Sequence, residues 1–166
     1  MHPDFRRRAE KRAARSGSTY HLTAAGEALR PVISALGSWG YAWTEGMLTK
    51  QDYDPALLMW DVRRRVDPRA LPSTDRTLVK FEFAGAPPRK RRWWLLFEHG
   101  EADLCASRPG YEVDLEVRSH VKLMIDVWIG RASLGGALGS GAIELAGSRP
   151  LVRSFRRWFT LSGFAS

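Results

Sequence analysis

The stretch that decides the fold runs from Val113 to Phe159, VDLEVRSHVKLMIDVWIGRASLGGALGSGAIELAGSRPLVRSFRRWF. Val113, Leu115 and Val117 alternate with Asp114, Glu116 and Arg118, the period of a strand with one wet face. From Ser119 to Gly130 the period lengthens, and Val121, Met124, Ile125 and Trp128 fall on one side of a helix. A Gly-rich link follows, then Ile143 and Leu145 flank Glu144 in another strand. Pro150 suits the first turn of a last helix extending to Phe164. Leu151, Val152, Phe155, Trp158, Phe159 and Leu161 form its apolar side, and Arg149, Arg153, Arg156 and Arg157 its other side.

Towards the N-terminus the same two-residue period predicts more strands. Leu58, Trp60 and Val62 alternate with Met59, Asp61 and Arg63, and Val79, Phe81 and Phe83 alternate with Lys80 and Glu82. Trp93 to Phe97 is apolar on both faces, and Leu104 to Ala106 is a weaker strand. Turn signals at Asp54-Pro55, Asp67-Pro68, Gly85 to Pro88, Gly100 and Pro109-Gly110 separate these runs. The expected fold is therefore α+β, a mainly antiparallel sheet with helices covering one face.

Several residues of the tail also carry a family pattern: Trp128 and Gly130 at a helix end, Leu134 in the link, and Gly141, Ile143, Leu145 and Gly147 in a strand. Leu151, Trp158 and Phe159 in a final helix complete it. In this progression the region resembles the sterol-carrier-protein type-2-like domains. The resemblance implies an apolar cavity between sheet and helices and lipid ligands such as sterols and fatty acyl groups; no residue constellation points to catalysis. The candidate cavity residues are Trp60, Phe81, Phe83, Trp94, Leu123, Val127, Trp128, Leu134, Leu138, Phe155, Trp158 and Phe159. Aromatic lining suits a small-molecule pocket, and an ordinary aromatic core explains the same residues. Cys105, Ser107, Ser133 and Arg131 are the polar groups available to orient a lipid head.

The N-terminal quarter is different. After Tyr20, His21 and Leu22, Thr23 is placed as N-cap of a helix, and Glu27 suits its first turn. Leu29, Val32, Ile33, Leu36, Trp39 and Trp43 recur at three- and four-residue steps, with Pro31 predicting a bend. This apolar stripe packs either on its own domain or on a second copy as a homodimer seam. Tyr20, Leu22, Thr23, Gly26, Leu29, Pro31, Val32, Leu36 and Trp39 resemble the end of an HxlR-type winged-helix regulator: the second wing strand and the dimerisation helix. The helix-turn-helix that this resemblance implies would precede residue 1. The basic run before it, with Arg6, Arg7, Arg8, Lys11, Arg12 and Arg15, corresponds to a wing that contacts DNA phosphates, or equally to a solvated arm. DNA binding by this chain is expected to be weak, salt-sensitive and indifferent to sequence. The expected domains are 1–47, a partial winged helix, and 48–166, the ligand-binding part.

Composition narrows the function classes. The 166 residues carry 26 Lys and Arg against 18 Asp and Glu, a net charge of +8 that favours anionic partners. Cys105 is the single cysteine, which rules out an intramolecular disulfide and suits a reducing cytoplasm. No apolar leader or bilayer-length run is present in the sequence. GRASLGGALGSG, from Gly130 to Gly141, lacks the Gly-Lys-Ser/Thr ending of a phosphate loop. His2, His21, His99 and His120 are scattered, without metal-ligand spacing, so neither metal nor cofactor is expected. Three functions remain: the effector-sensing part of a transcriptional regulator, a freestanding lipid carrier, and, least supported by any residue constellation, a small enzyme.

Overall fold

The computed structural model describes residues 22–43, 49, 53–72 and 75–162. The basic run from Arg6 to Arg15 lies outside them, and so does the expected domain boundary at 47/48. The chain divides into two compact units between Gly40 and Tyr41.

In the first unit Thr23 caps helix α1 (Ala24–Ala28), its Oγ1 accepting from Gly26 N at 3.2 Å. The expected single helix is interrupted at Leu29, whose N–H donates to Gly26 O at 3.2 Å in a tighter turn. Helix α2 (Arg30–Trp43) then begins with Pro31 in its first turn. The break falls there because Pro31 has no N–H to continue the ladder from α1.

The second unit is built on a five-stranded mixed sheet: β1 (Thr77–Ala84), β2 (Arg92–Glu98), β3 (Glu101–Cys105), β4 (Leu115–His120) and β5 (Ile143–Gly147), in the order β3-β2-β1-β4-β5. The β1–β2, β2–β3 and β4–β5 pairs are antiparallel, and β1–β4 is parallel. The parallel pair arises because the chain crosses back from the β3 edge to lie beside β1. Asp114 fixes that return: its N–H donates to Leu78 O at 2.9 Å, and its Oδ2 accepts from Leu78 N at 2.8 Å.

Helices α3 (Pro55–Arg65), α4 (Val121–Trp128), α5 (Leu134–Gly139) and α6 (Arg149–Trp158) pack on one face. The alternating residues Val79, Phe81, Phe83, Trp93, Leu95, Phe97, Leu115, Val117 and Ile143 meet them there. Lys80, Glu82, Arg92, Glu116, Arg118 and Glu144 stand on the other face, which the helices leave uncovered.

Residues 58–62 correct the expected strand. Asp54 caps α3 by accepting from Ala56 N at 2.9 Å, and Pro55 takes the first helical position. The Asp-Pro pair is thus a helix start rather than only a turn. Leu58, Met59 and Val62 share the buried face, and Trp60 points outward, 55% exposed. Arg63 ties α3 to β3, with Nε donating to Ala102 O at 2.9 Å and Nη2 to Asp103 at 3.0 Å.

Three boundaries also differ. Ser119 and His120 belong to β4, and α4 begins at Val121, with His120 Nδ1 accepting from Lys122 N at 3.3 Å. The Gly-rich link contains a short helix, α5, capped by Ser133 Oγ accepting from Gly136 N at 3.2 Å. The last helix ends at Trp158 because the following chain is captured by neighbours. Trp158 O accepts from Asp67 N at 3.0 Å, and Ser162 N donates to Trp128 O at 2.9 Å.

Candidate functional site

Between sheet and helices, aromatic rings lie in mutual contact. Phe155 stacks on Phe159 at 4.9 Å and meets Trp158 edge-on at 5.0 Å. Phe97 meets Trp158 at 5.4 Å, Trp128 meets Phe159 at 5.2 Å, and Phe81 joins Phe83 and Phe159 at 6.1 and 6.3 Å. These are ordinary separations for core aromatic pairs. Trp128 Nε1 donates to Asp61 Oδ2 at 2.8 Å, so even this polar edge is used to bind α4 to α3.

The expected cavity residues therefore divide. Phe81, Phe83, Val127, Trp128, Phe155, Trp158 and Phe159 are buried and belong to the packed core. Their rings pack on one another. Trp60 lies on the exposed side of α3, and Trp94 lies on the uncovered face of the sheet, paired in register with Lys80 and Cys105. Leu123, Leu134 and Leu138 are half-buried and pack against the core.

Leu138 leads to a groove of about 350 Å³ at the sheet edge. α5, β5 and α6 build it: Leu138, Ile143, Leu145 and Val152 supply apolar walls, and Arg153 and Arg156 the charged ones. Its geometry follows from α6, where Leu151, Phe155 and Trp158 point into the core. A 3.6-residue period then turns Val152, Arg153 and Arg156 to the side. The Arg156 guanidinium lies close to α5 at Gly135, where a Cβ would stand 3.4 Å from Nη2, in ordinary contact. Among the described residues neither Arg153 nor Arg156 has a carboxylate partner. The groove thus joins an apolar surface to two cations. The sequence placed Val152 and the two arginines on α6 but grouped neither arginine with Leu138; only the fold brings them together.

A larger cleft of about 560 Å³ opens at the ends of β1 and β4. Glu82, Arg91, Arg118, Ser119, His120 and Glu144 line it with both signs of charge, beside Ala84 and Ala142. Among the described residues no cluster of His, Cys, Asp and Glu is suited to a metal ion. Burial and the neighbouring Asp103 push the Cys105 thiol up, which opposes thiolate formation. No helix among the described residues is long and apolar enough to cross a membrane.

The uncovered face carries an ion network. Lys80 Nζ donates to Glu82 at 2.7 Å and also to Glu116, which accepts from Arg118 Nη2 at 2.6 Å. The Lys80 hydrogen bond holds both carboxylates below their ordinary range, against the effect of burial. For Lys80 the largest single influence is burial, which pulls it down, and its hydrogen bonds to Glu116 and Glu82, with the charges of both carboxylates, outweigh burial and raise it. The carboxylate contribution to stability is full above the unfolded value of about 4.3 and is lost as pH falls through the lower folded values. The lysine contribution is full below about 10.4 and is lost as pH rises through the higher folded value. Lys80→Met is therefore expected to cost about 1–2 kcal/mol near neutrality, measured by urea unfolding. The gap from wild type should close as pH falls below about 4; an equal gap at all pH values would show that the network contributes packing alone.

No protein-family model and no curated protein matches the sequence. Among solved structures, a double mutant of the sec-alkylsulfatase PisA1 is similar at a TM-score of 0.51 and 15% identity, over 69% of this chain and 18% of that one. The ubiquinone synthesis protein UbiJ-SCP2 is similar at 0.44 and 16%, over 76% of this chain and 95% of that one. Sterol carrier protein 2 like 2 from Aedes aegypti is similar at 0.42 and 17%, over 60% and 91% respectively. The chain spans about a fifth of the sulfatase's length, and the likeness to it is one of fold. The protein thus carries an α+β domain with a five-stranded mixed sheet, backed by helices on one face.

Proposed function

We propose that this protein binds amphiphiles with an apolar chain and an anionic head, in the groove between α5, β5 and α6. The observation that carries this is the pairing of Leu138, Leu145 and Val152 with Arg153 and Arg156 in one groove. The apolar walls hold a chain by removing its surface from water. The two guanidinium groups supply charge-assisted hydrogen bonds to a carboxylate. The sterol-carrier-like pattern from Val113 to Phe159 supports the same class of ligand. Isothermal titration with decanoate tests it: saturable binding is expected, and its absence would end the proposal.

We further infer that the chain is the ligand-sensing part of a dimeric, HxlR-like regulator. Leu29, Val32, Ile33, Leu36, Trp39 and Trp43 favour this reading, each between 56% and 71% exposed along one helix face. An apolar stripe of that extent is normally covered by a partner. Sedimentation should show a dimer that Ile33→Asp with Leu36→Asp converts to monomer. A monomeric wild-type protein would refute the seam and leave the freestanding carrier.

A further inference from the structure

The uncovered face of the sheet holds a second pocket, separate from the groove. Lys80, Arg92, Trp94, Arg108, Val113 and Glu116 line about 300 Å³ there. Trp94 is 9% exposed, although α3 to α6 leave this face uncovered. Part of the pocket's wall comes from Arg108 and Val113, on the chain returning from β3 to β4. That return is held at Asp114 by its two hydrogen bonds to Leu78 and at Tyr111 by the Arg76 guanidinium, 3.6 Å above the ring.

The Trp94 indole Nε1–H is buried and has no acceptor. A buried donor left so costs about 1–3 kcal/mol, and native proteins rarely tolerate it without a use. Trp158 is the only other such side chain among the described residues, and its case differs. Trp158 is packed among Phe97, Phe155 and Phe159 in the core, each ring pair T-shaped. Trp94 makes no such ring contact among the described residues, and it lines a pocket instead.

The charges around it decide what fits. Glu116 and Glu82 already hold Lys80. Arg92 has only the long 3.5 Å pair with Glu82, and Arg108 has no carboxylate partner among the described residues. The pocket therefore offers spare positive charge beside the apolar surfaces of an indole and Val113, and that indole carries an unpaired Nε1–H that is closed to solvent. Its volume sits at the small end of ligand sites.

We propose that this pocket binds a small organic carboxylate, its charge met by Arg108 and Arg92 and one oxygen accepting from Trp94 Nε1–H once a small turn of the indole opens that edge to the pocket. A flat apolar body packs against the indole and Val113. The assignment does not depend on the amphiphile groove, which lies on the helix-covered side.

The test reads the indole itself. In ¹⁵N-labelled protein each of the seven tryptophans gives one Nε1–H resonance, and Trp94→Phe identifies that of Trp94. Sodium benzoate should move this resonance downfield in a saturable way, leaving the other indoles in place. Arg108→Gln, at an exposed position that should not disturb folding, is expected to weaken the response about tenfold or more. The double substitution Arg153→Gln, Arg156→Gln should leave it unchanged, which separates this pocket from the groove. Sodium chloride at equal ionic strength should have no effect. A Trp94 resonance that stays in place up to about 10 mM benzoate would overturn the proposal. Equal shifts with inorganic sulfate would overturn its organic part, marking a general anion site.

Discussion

Phe155→Ala is expected to destabilise the protein by about 3–5 kcal/mol, the range for truncating a fully buried aromatic side chain. Phe155 has no exposed surface, stacks on Phe159 and meets Trp158 edge-on. The cost combines lost transfer energy, lost ring contacts and the void left where neighbours cannot collapse. Urea unfolding should show a lower midpoint with an unchanged slope. The size of the effect decides between two pictures of the interior. A loss below about 1 kcal/mol would mean that Phe155 borders space already hollow, as the expected internal cavity required. A loss in the full range means that the rings fill it. The variant should then hold an apolar void able to take a small hydrocarbon.

The second large effect concerns ligand affinity. Arg153→Gln with Arg156→Gln is expected to weaken decanoate binding by about 10- to 100-fold, from the loss of charge-assisted hydrogen bonds. Both side chains are exposed and without carboxylate partners among the described residues. Stability should accordingly change by less than about 0.5 kcal/mol. Decanol provides the control. It has the same chain and no charge, so its weaker binding should be indifferent to the double substitution. An equal loss for both compounds would show that the arginines act through the shape of the groove.

How much of this was legible in the sequence depends on the element. The tail from Val113 was readable because period two changes cleanly to period 3.6 within it, and the resulting strand-helix-strand-helix order stands in the structure. Residues 58–62 misled because Leu58, Trp60 and Val62 satisfy an alternating pattern, and Met59, the actual partner of Leu58 and Val62 on the buried face, was placed on the wet side. The helix-start chemistry of Asp54-Pro55 was the signal that could have settled it. α5 is hidden in the sequence because glycine is a poor helix former, and Ser133 reads there only as a candidate polar ligand group.

The site was less legible than the fold. Aromatic content pointed to the interior, yet the same rings that can line a cavity can close it by touching one another. The groove depends on α5, β5 and α6 meeting at one sheet edge, which no local period reports. The Trp94 pocket depends on the parallel β1–β4 pairing, since only that crossover carries Arg108 over the uncovered face. Trp94 itself was read as a cavity residue on the helix side, because a strand apolar on both faces does not reveal which side each residue takes.

The central claim is that an amphiphile's chain lies along the outer groove. Methyl-resolved ¹H–¹³C NMR during titration with decanoate tests it most directly. Saturable shifts are predicted for the methyl groups of Leu138, Ile143, Leu145 and Val152, while those of Val79, Val117 and Met124 in the core stay in place. Shifts concentrated at Val79, Val117 and Met124 would contradict the account, because they would place the chain between the sheet and its helices.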